Sequence, residues 1–339
     1  MQVIFLCQAA GDIVHILGEI EKFNKIESDV CIYIFCLERK HSLKSCFSLL
    51  SLNNVIIDSL LSIEPCIRYP WKRWWYRKKT TKLLINKGIL SNNTIVYFTS
   101  IYDDPVTIGY LGVLIRNHCR ICYLNHYDDS QNIVPLNKYS ISECCKLMLY
   151  YFFTGVPLSY YSMSNRWNVL RFPKEKYNIE EIKSKIDINI CNKYSYSIGL
   201  PSKKTVLFFS QPNREKSLIS DEEYNQIHFD VVEKLKALKY YIVIKGHPML
   251  GICPINESQA DLILPNKLPS ELLNYKHVES CYGFMTIALA TTAKLGVKTY
   301  TILPLMKDKT SLAYEGAIDY INMTGEFKIN YLNDLNDIV

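Results

Sequence analysis

Short apolar runs separated by amphipathic stretches set the pattern of the chain. In the first half, QVIFLC (2–7), VCIYIFC (30–36), NVIID (54–58), TIVYFTS (94–100) and RICYLN (120–125) are rich in Val, Ile, Phe and Tyr. Runs of this length and composition predict strands buried on both faces of a parallel sheet. Helix-period stretches lie between most of them, for example Asp12 to Phe23 after Gly11. The second half repeats the alternation. TVLFFS (205–210) predicts a strand and QPNREKSL a loop. A helix then opens with Ser220 as N-cap and Glu223 at capping-box spacing. Its inward stripe is expected at Tyr224, Ile227, Val231, Leu235 and Leu238. Strands over 240–245, 261–265 and 297–303, a short helix from Ser270, and a helix through FMTIALATTAKL closed by Gly296 follow. The pattern predicts two doubly wound α/β domains in tandem: 1–165, a polar and charged linker at 166–200, and 201–339.

Composition narrows the classes. The chain of 339 residues is 48% hydrophobic, with no low-complexity segment, which excludes a disordered protein. Lys and Arg number 39 against 33 Asp and Glu, a net charge of +6. That mild excess suits an anionic substrate or an acidic membrane surface and is too small to argue for nucleic acid. The beginning, MQVIFLCQAAGDIV, reads as neither a signal peptide nor a membrane span. LMLYYFFTGVPLSYYSM (147–163) is broken by Gly155 and Pro157 and reads as a buried helix followed by a loop. The 12 cysteines follow no repeating frame, and Cys119-x-x-Cys122 has no second half, so inert core thiols are expected rather than zinc or redox chemistry.

Open α/β sheets bind ligands beyond the carboxyl ends of their strands, and that rule selects three loops. KGHP (245–248) ends an apolar strand with Lys245, Gly246, His247 and Pro248. Glycine permits a close backbone turn, proline stiffens it, and ammonium beside imidazole suits a phosphate that gains charge as a bond to it breaks. A surface turn with an incidental histidine is the plain alternative. YLNHYDDSQN places Asp128 and Asp129 after strand 120–125, where one carboxylate can act as a general base; a cap or turn role is the rival. The pair Asp103-Asp104 before Pro105 reads as the start of a helix. Neither pair is a metal site by its spacing. In the third region, Glu271 can accept from ribose hydroxyls, and Thr286 opens a helix whose first turn can serve a phosphate; helix packing is the alternative for both. Ser210 and Gln211, where strand 205–210 runs out, join the donor-side set.

In order and wording, LNHYDDS (124–130), KGHPMLG (245–251), LPSELL (268–273) and YGFMTIAL (282–289) resemble the bacterial sialyltransferases. The resemblance rests on these short motifs and covers the region 95–300 loosely. It implies the GT-B fold, two Rossmann-like domains facing across a cleft. It also implies CMP-sialic acid as donor, inversion at the anomeric centre, and neither metal nor cofactor. Carried over, Asp129 is the general base, with Asp128 and Ser130 beside it on the acceptor side. His247 contacts the CMP phosphate with Lys245 adjacent, Glu271 holds the ribose, and Thr286 takes the first place of a Ser/Thr pair. Two positions depart from the family: Ser130 replaces the motif glycine, and Ile287 replaces the second hydroxyl, which Thr291 or Thr292 would have to supply. A donor with one phosphate to neutralise fits a site of Lys, His, hydroxyls and a helix N-terminus. The base must come within about 2.6–3.2 Å of the acceptor oxygen, so the domains are expected to close on the donor.

YPWKRWWYRKK (69–79) packs aromatic and basic side chains together, a mixture suited to a membrane headgroup zone or to single-stranded nucleic acid. With a sialyltransferase-like chain, the expectation is a cytoplasmic enzyme touching the inner membrane through 69–79. Its acceptor would be an oligosaccharide, lipid-linked, on a surface glycan such as O-antigen, lipooligosaccharide or capsule. Rival readings are a transferase for another CMP- or CDP-activated donor (Kdo, another nonulosonic acid, glycerol phosphate) and a non-catalytic membrane- or nucleic-acid-binding module.

Overall fold

A computed structural model describes the chain outside residues 27–29, 38–42, 51, 61–77, 80, 90–92, 100–104, 126–132, 137, 164–166, 172–176, 178, 197–202, 249, 327 and 339. It divides into two compact units, Met1–Asp187 and Ile188–Val339. In the first unit the strands are β1 (Gln2–Cys7), β2 (Cys31–Leu37), β3 (Val55–Leu60), β4 (Thr94–Phe98), β5 (Arg120–Asn125), β6 (Ile133–Pro135), β7 (Ser159–Met163), β8 (Trp167–Arg171) and β9 (Glu180–Lys183). Six of them form a parallel sheet in the order β3-β2-β1-β4-β5-β9, while β6-β7-β8 form a small antiparallel sheet. The second unit contains β10 (Thr205–Ser210), β11 (Tyr241–Gly246), β12 (Leu262–Leu264), β13 (Val278–Gly283), β14 (Thr299–Thr301) and β15 (Asn330–Tyr331). Their order is β12-β11-β10-β13-β14-β15, all parallel. The expected pair of doubly wound α/β units is therefore present. In each, the strand order reverses beside the first strand, between β1 and β4 or between β10 and β13, and such a reversal opens a crevice at the strand ends.

The strands form where the apolar runs predict them because both faces of each sheet are covered. Val3 to Cys7 of β1 and all of β10 are buried, and each fully buried Leu, Ile, Val or Phe contributes about 1.5–3 kcal/mol. The helix Asp221–Ala237 lies over the second sheet. It carries three acids in its first turn and Lys234 and Lys236 in its last, complementing the helix dipole.

The break between the units, after Asp187, falls inside the stretch 166–200, which carries β8, β9 and the helix Ile188–Lys193, with β9 pairing with β5. Three other expectations meet a different structure. Ser220 caps its helix by accepting from the Glu223 N–H, but the Glu223 carboxylate accepts from the Lys307 N–H (2.7 Å) instead of closing the box. Leu238 is the C-cap of that helix and is exposed; His228 faces the core in its stead, beside Ile227. The helix Ile141–Thr154 is not buried: Ile141 is 85% exposed and Met148 65%. A capping box of Ser140 and Glu143 starts it, Gly155 in the left-handed conformation (φ 70°) ends it, and strand β7 follows where a loop was expected. Cys119 and Cys122 are both buried.

Candidate functional site

At the reversal point of the first unit, Asp12 opens the helix Asp12–Ile26 and turns its carboxylate back onto the β1 loop. It accepts from the Gln8 and Ala9 N–H groups, both at 2.8 Å, and from the Thr99 hydroxyl at 2.8 Å. These loop N–H groups are of the kind that dinucleotide folds present to a phosphate. Here a buried carboxylate of the protein itself takes them.

The reversal point of the second unit is different. A pocket of about 60 Å³ opens at the carboxyl ends of β10 and β11, lined by Ser210, Gln211, Lys245, His247, Ser270 and Thr286. Gly246 and Pro248 line it as well. Drug-sized ligand pockets hold roughly 300–1,000 Å³, so this space by itself has room for one small group and not for a whole ligand of that size. Every donor-side residue predicted from the sequence is in this lining except Glu271, which sits immediately beside it in the 3-10 turn Ser270–Leu272.

Lys245 comes from a strand residue of β11 and is 3% exposed. Its ammonium donates to the carbonyls of Gly246 and Asn266, both at 2.7 Å. Glu271 is half-buried by surface yet crowded by protein. Burial raises its carboxyl above the ordinary value, against opposing pulls from its own N–H, from Ser270 and Thr291, and from the nearby Lys245 charge. The Lys245 ammonium thus lies buried beneath the pocket with its charge acting on Glu271, and burial counters that pull by raising the Glu271 carboxyl.

His247 begins a tight loop closed by an antiparallel bridge to Gly251, whose φ of 82° is left-handed. Within this loop the Leu250 N–H donates to His247 Nδ1 at 3.3 Å. A ring nitrogen that accepts carries no proton, so the neutral ring holds its proton on Nε2. The glycine before it has a different purpose from the one expected. Gly246 is not left-handed; a Cβ at that position would collide with Asn266 Oδ1 and with Ile252 Cγ1. Its missing side chain makes room for protein.

Thr286 is the N-cap of the helix Ile287–Lys294, its hydroxyl oxygen accepting from the Ala288 N–H at 3.4 Å, which leaves the hydroxyl proton to donate. Ile287 is 64% exposed. The two threonines considered as substitutes for a second hydroxyl are otherwise engaged: Thr291 donates to Glu271 (3.3 Å) and Thr292 to the Leu289 carbonyl (3.0 Å). Asp128, Asp129, Ser130, Asp103 and Asp104 lie outside the described residues, as do 69–77 of the basic aromatic stretch; Lys78 and Lys79 are exposed. Sequence reasoning missed Asn266 and Asn256, which only their spatial neighbours single out. It also missed His228, whose helical spacing beside Tyr224 was a usable signal.

Comparison with known proteins bears on the class of enzyme. Residues 118–260 match the family model described as alpha-2,8-polysialyltransferase (POLYST). The match supports a glycosyltransferase. It spans the acidic motif and the KGHP loop and ends before Glu271 and Thr286, so the sialyltransferase likeness read from the motifs is supported at the level of the family. No curated protein matches the chain. Among solved structures, E. coli heptosyltransferase WaaC with ADP-2-deoxy-2-fluoro heptose is similar at 10% identity, over 100% of this chain and 96% of that one, with a TM-score of 0.44. A glycosyl transferase family 9 protein from Veillonella parvula is similar at 10% identity over 98% and 84%, TM-score 0.44. Methanocaldococcus jannaschii UDP-GlcNAc 2-epimerase in complex with UDP-GlcNAc and UDP is similar at 10% identity over 100% and 91%, TM-score 0.46.

Proposed function

We propose that the chain is an inverting, metal-independent sialyltransferase that moves sialic acid from CMP-sialic acid to a sugar hydroxyl of a bacterial surface glycan. The observation that carries this reading is the His247 loop, in which Nδ1 accepts from the Leu250 N–H, in the lining of the same pocket as the buried Lys245 ammonium. In this reading the Asp129 carboxylate takes the proton of the acceptor hydroxyl as its oxygen bonds to the anomeric carbon. The bond from that carbon to the phosphate oxygen breaks, and CMP leaves with the electron pair. His247 Nε2–H and the Thr286 hydroxyl donate to the leaving phosphate, and Lys245 offsets its charge through space. Glu271 accepts from the ribose. One departing phosphate is a charge these groups can meet without a metal.

The test is incubation with CMP- and CDP-activated donors in the presence of EDTA, following nucleotide release. Release of CMP from CMP-sialic acid is expected. Asp129→Asn should abolish turnover while CMP still binds, and His247→Ala should lower turnover by about 10²–10³-fold, the cost of one charge-stabilising donor. Release from CDP-glycerol or CMP-Kdo alone would replace the donor, and an unchanged rate in His247→Ala would remove the leaving-group role.

We further propose that the enzyme works on a lipid-linked acceptor while resting on an anionic membrane from the cytoplasmic side. The basic excess, the stretch 69–79 and the exposed Ile141, Met148 and Leu149 of one helix support this reading. No helix among the described residues is long and apolar enough to cross a membrane. Wild type should float with anionic liposomes, and both Trp74→Ala/Trp75→Ala and Ile141→Ser/Met148→Ser should float less; equal flotation of all three ends the idea.

A further inference from the structure

Under the KGHP loop runs a row of buried polar groups that the reaction above does not use. His228, from the middle of Asp221–Ala237, has no exposed surface. Its ring lies 4.2 Å from that of Tyr224 and edge-on to Phe208 at 5.2 Å. His228 Nδ1 is 2.8 Å from Asn256 Oδ1, and the Ser210 hydroxyl donates to the same oxygen at 2.8 Å. Asn256 Nδ2 faces two acceptors, the His228 carbonyl (3.5 Å) and Gln259 Oε1 (3.3 Å), which sets which end of the amide is oxygen. An amide oxygen only accepts, so His228 carries its proton on Nδ1.

The row ends at the loop. Having given its proton to Asn256, the Ser210 hydroxyl accepts from the Cys253 N–H at 3.0 Å. The Ser210 carbonyl accepts from the His247 N–H at 3.1 Å. One residue at the tip of β10 therefore holds both ends of the loop from His247 to Cys253, the first by its carbonyl and the last by its hydroxyl. The loop contains the Leu250 N–H that assigns the His247 tautomer. His228 Nε2, for its part, is buried with no hydrogen-bond partner among the described residues. An apolar ring would fill this space without leaving a polar atom unsatisfied, so the use of histidine here lies in its other nitrogen.

We propose that His228 and Asn256 are positioning residues for His247: through the Ser210 hydroxyl they pin the far end of its loop and so set the aim and tautomer of its ring. This rests on the reading of His247 as the group that meets the donor phosphate. Asparagine places an amide nitrogen where Nδ1 was, whereas glutamine, closer to histidine in size, places it where Nε2 was. His228→Asn should keep most of the turnover. His228→Gln and Asn256→Ala should lose about 10²-fold, the effect of a misplacement near 1 Å. A ring that merely packs would rank glutamine at or above asparagine.

The second arm needs no substrate. Long-range ¹H–¹⁵N spectra of the His247 ring should show the Nε2–H tautomer in wild type and His228→Asn, and a tautomer mixture in His228→Gln, Asn256→Ala and Ser210→Ala. Ser210→Ala leaves the His228–Asn256 bond in place and serves where the core variants fail to fold. Equal behaviour of the asparagine and glutamine variants, or an unaltered His247 ring in Ser210→Ala, overturns the proposal. An inactive wild type with the expected spectra counts against the donor assignment alone.

Discussion

Replacing His228 with asparagine removes a titrating group from the core of the second unit. In the fold, burial lowers the His228 pKa from 6.5 to about 4, outweighing the upward pull of Asn256. Protonation would put a charge on Nε2, a buried atom surrounded by Tyr224, Phe208 and Phe284. The unfolded chain takes up the proton near 6.5 and the native chain only near 4, so the unfolded state binds more protons in between. The stability this histidine contributes is therefore complete above pH 6.5 and is lost as pH falls from there through about 4. A difference of that size is roughly a 300-fold change in proton affinity, or about 3 kcal/mol. That is a large part of the roughly 5–15 kcal/mol that holds a typical domain together. All tryptophans (Trp71, Trp74, Trp75 and Trp167) lie in the first unit, so tryptophan fluorescence would not report on the second. Hydrogen exchange by mass spectrometry over the amides of Asp221–Ala237 reads the right region. Wild type should lose about 3 kcal/mol of opening free energy across the window, and His228→Asn should lose that much less. The comparison is one of slopes, because the smaller side chain leaves a void and lowers stability at every pH. Equal slopes, or a His228 ring that titrates near 6.5 by NMR, would refute the reasoning.

Other expectations are more local. Gly246→Ala forces a methyl against Asn266 Oδ1 and Ile252 and should cost about 1–3 kcal/mol as overpacking, read as a lower urea midpoint. Adding Asn266→Ala should return part of that loss, and a single variant as stable as wild type would show that the contact yields freely. The donor panel with Asp129→Asn and His247→Ala tests the chemistry, the asparagine–glutamine comparison at 228 tests the loop support, and liposome flotation tests the membrane contact.

Sequence alone determined the two sheets, because strands covered on both faces must read as unbroken apolar runs; β1, β10 and β11 fall almost residue for residue where such runs occur. It also determined which loops to suspect, since open α/β sheets bind ligands beyond the carboxyl ends of their strands. What it left undecided depends on neighbours far along the chain. That Gly246 makes room for Asn266, that Thr291 is spent on Glu271, and that Asp12 closes the first crevice are contacts across separate elements. No periodicity encodes them. Leu238 and the helix Ile141–Thr154 show the limit from the other side: an apolar residue at helical spacing marks a face, but only the packed units decide whether anything covers it. His228 reverses the case, a polar residue placed in the core because one of its nitrogens bonds to Asn256, 28 residues away.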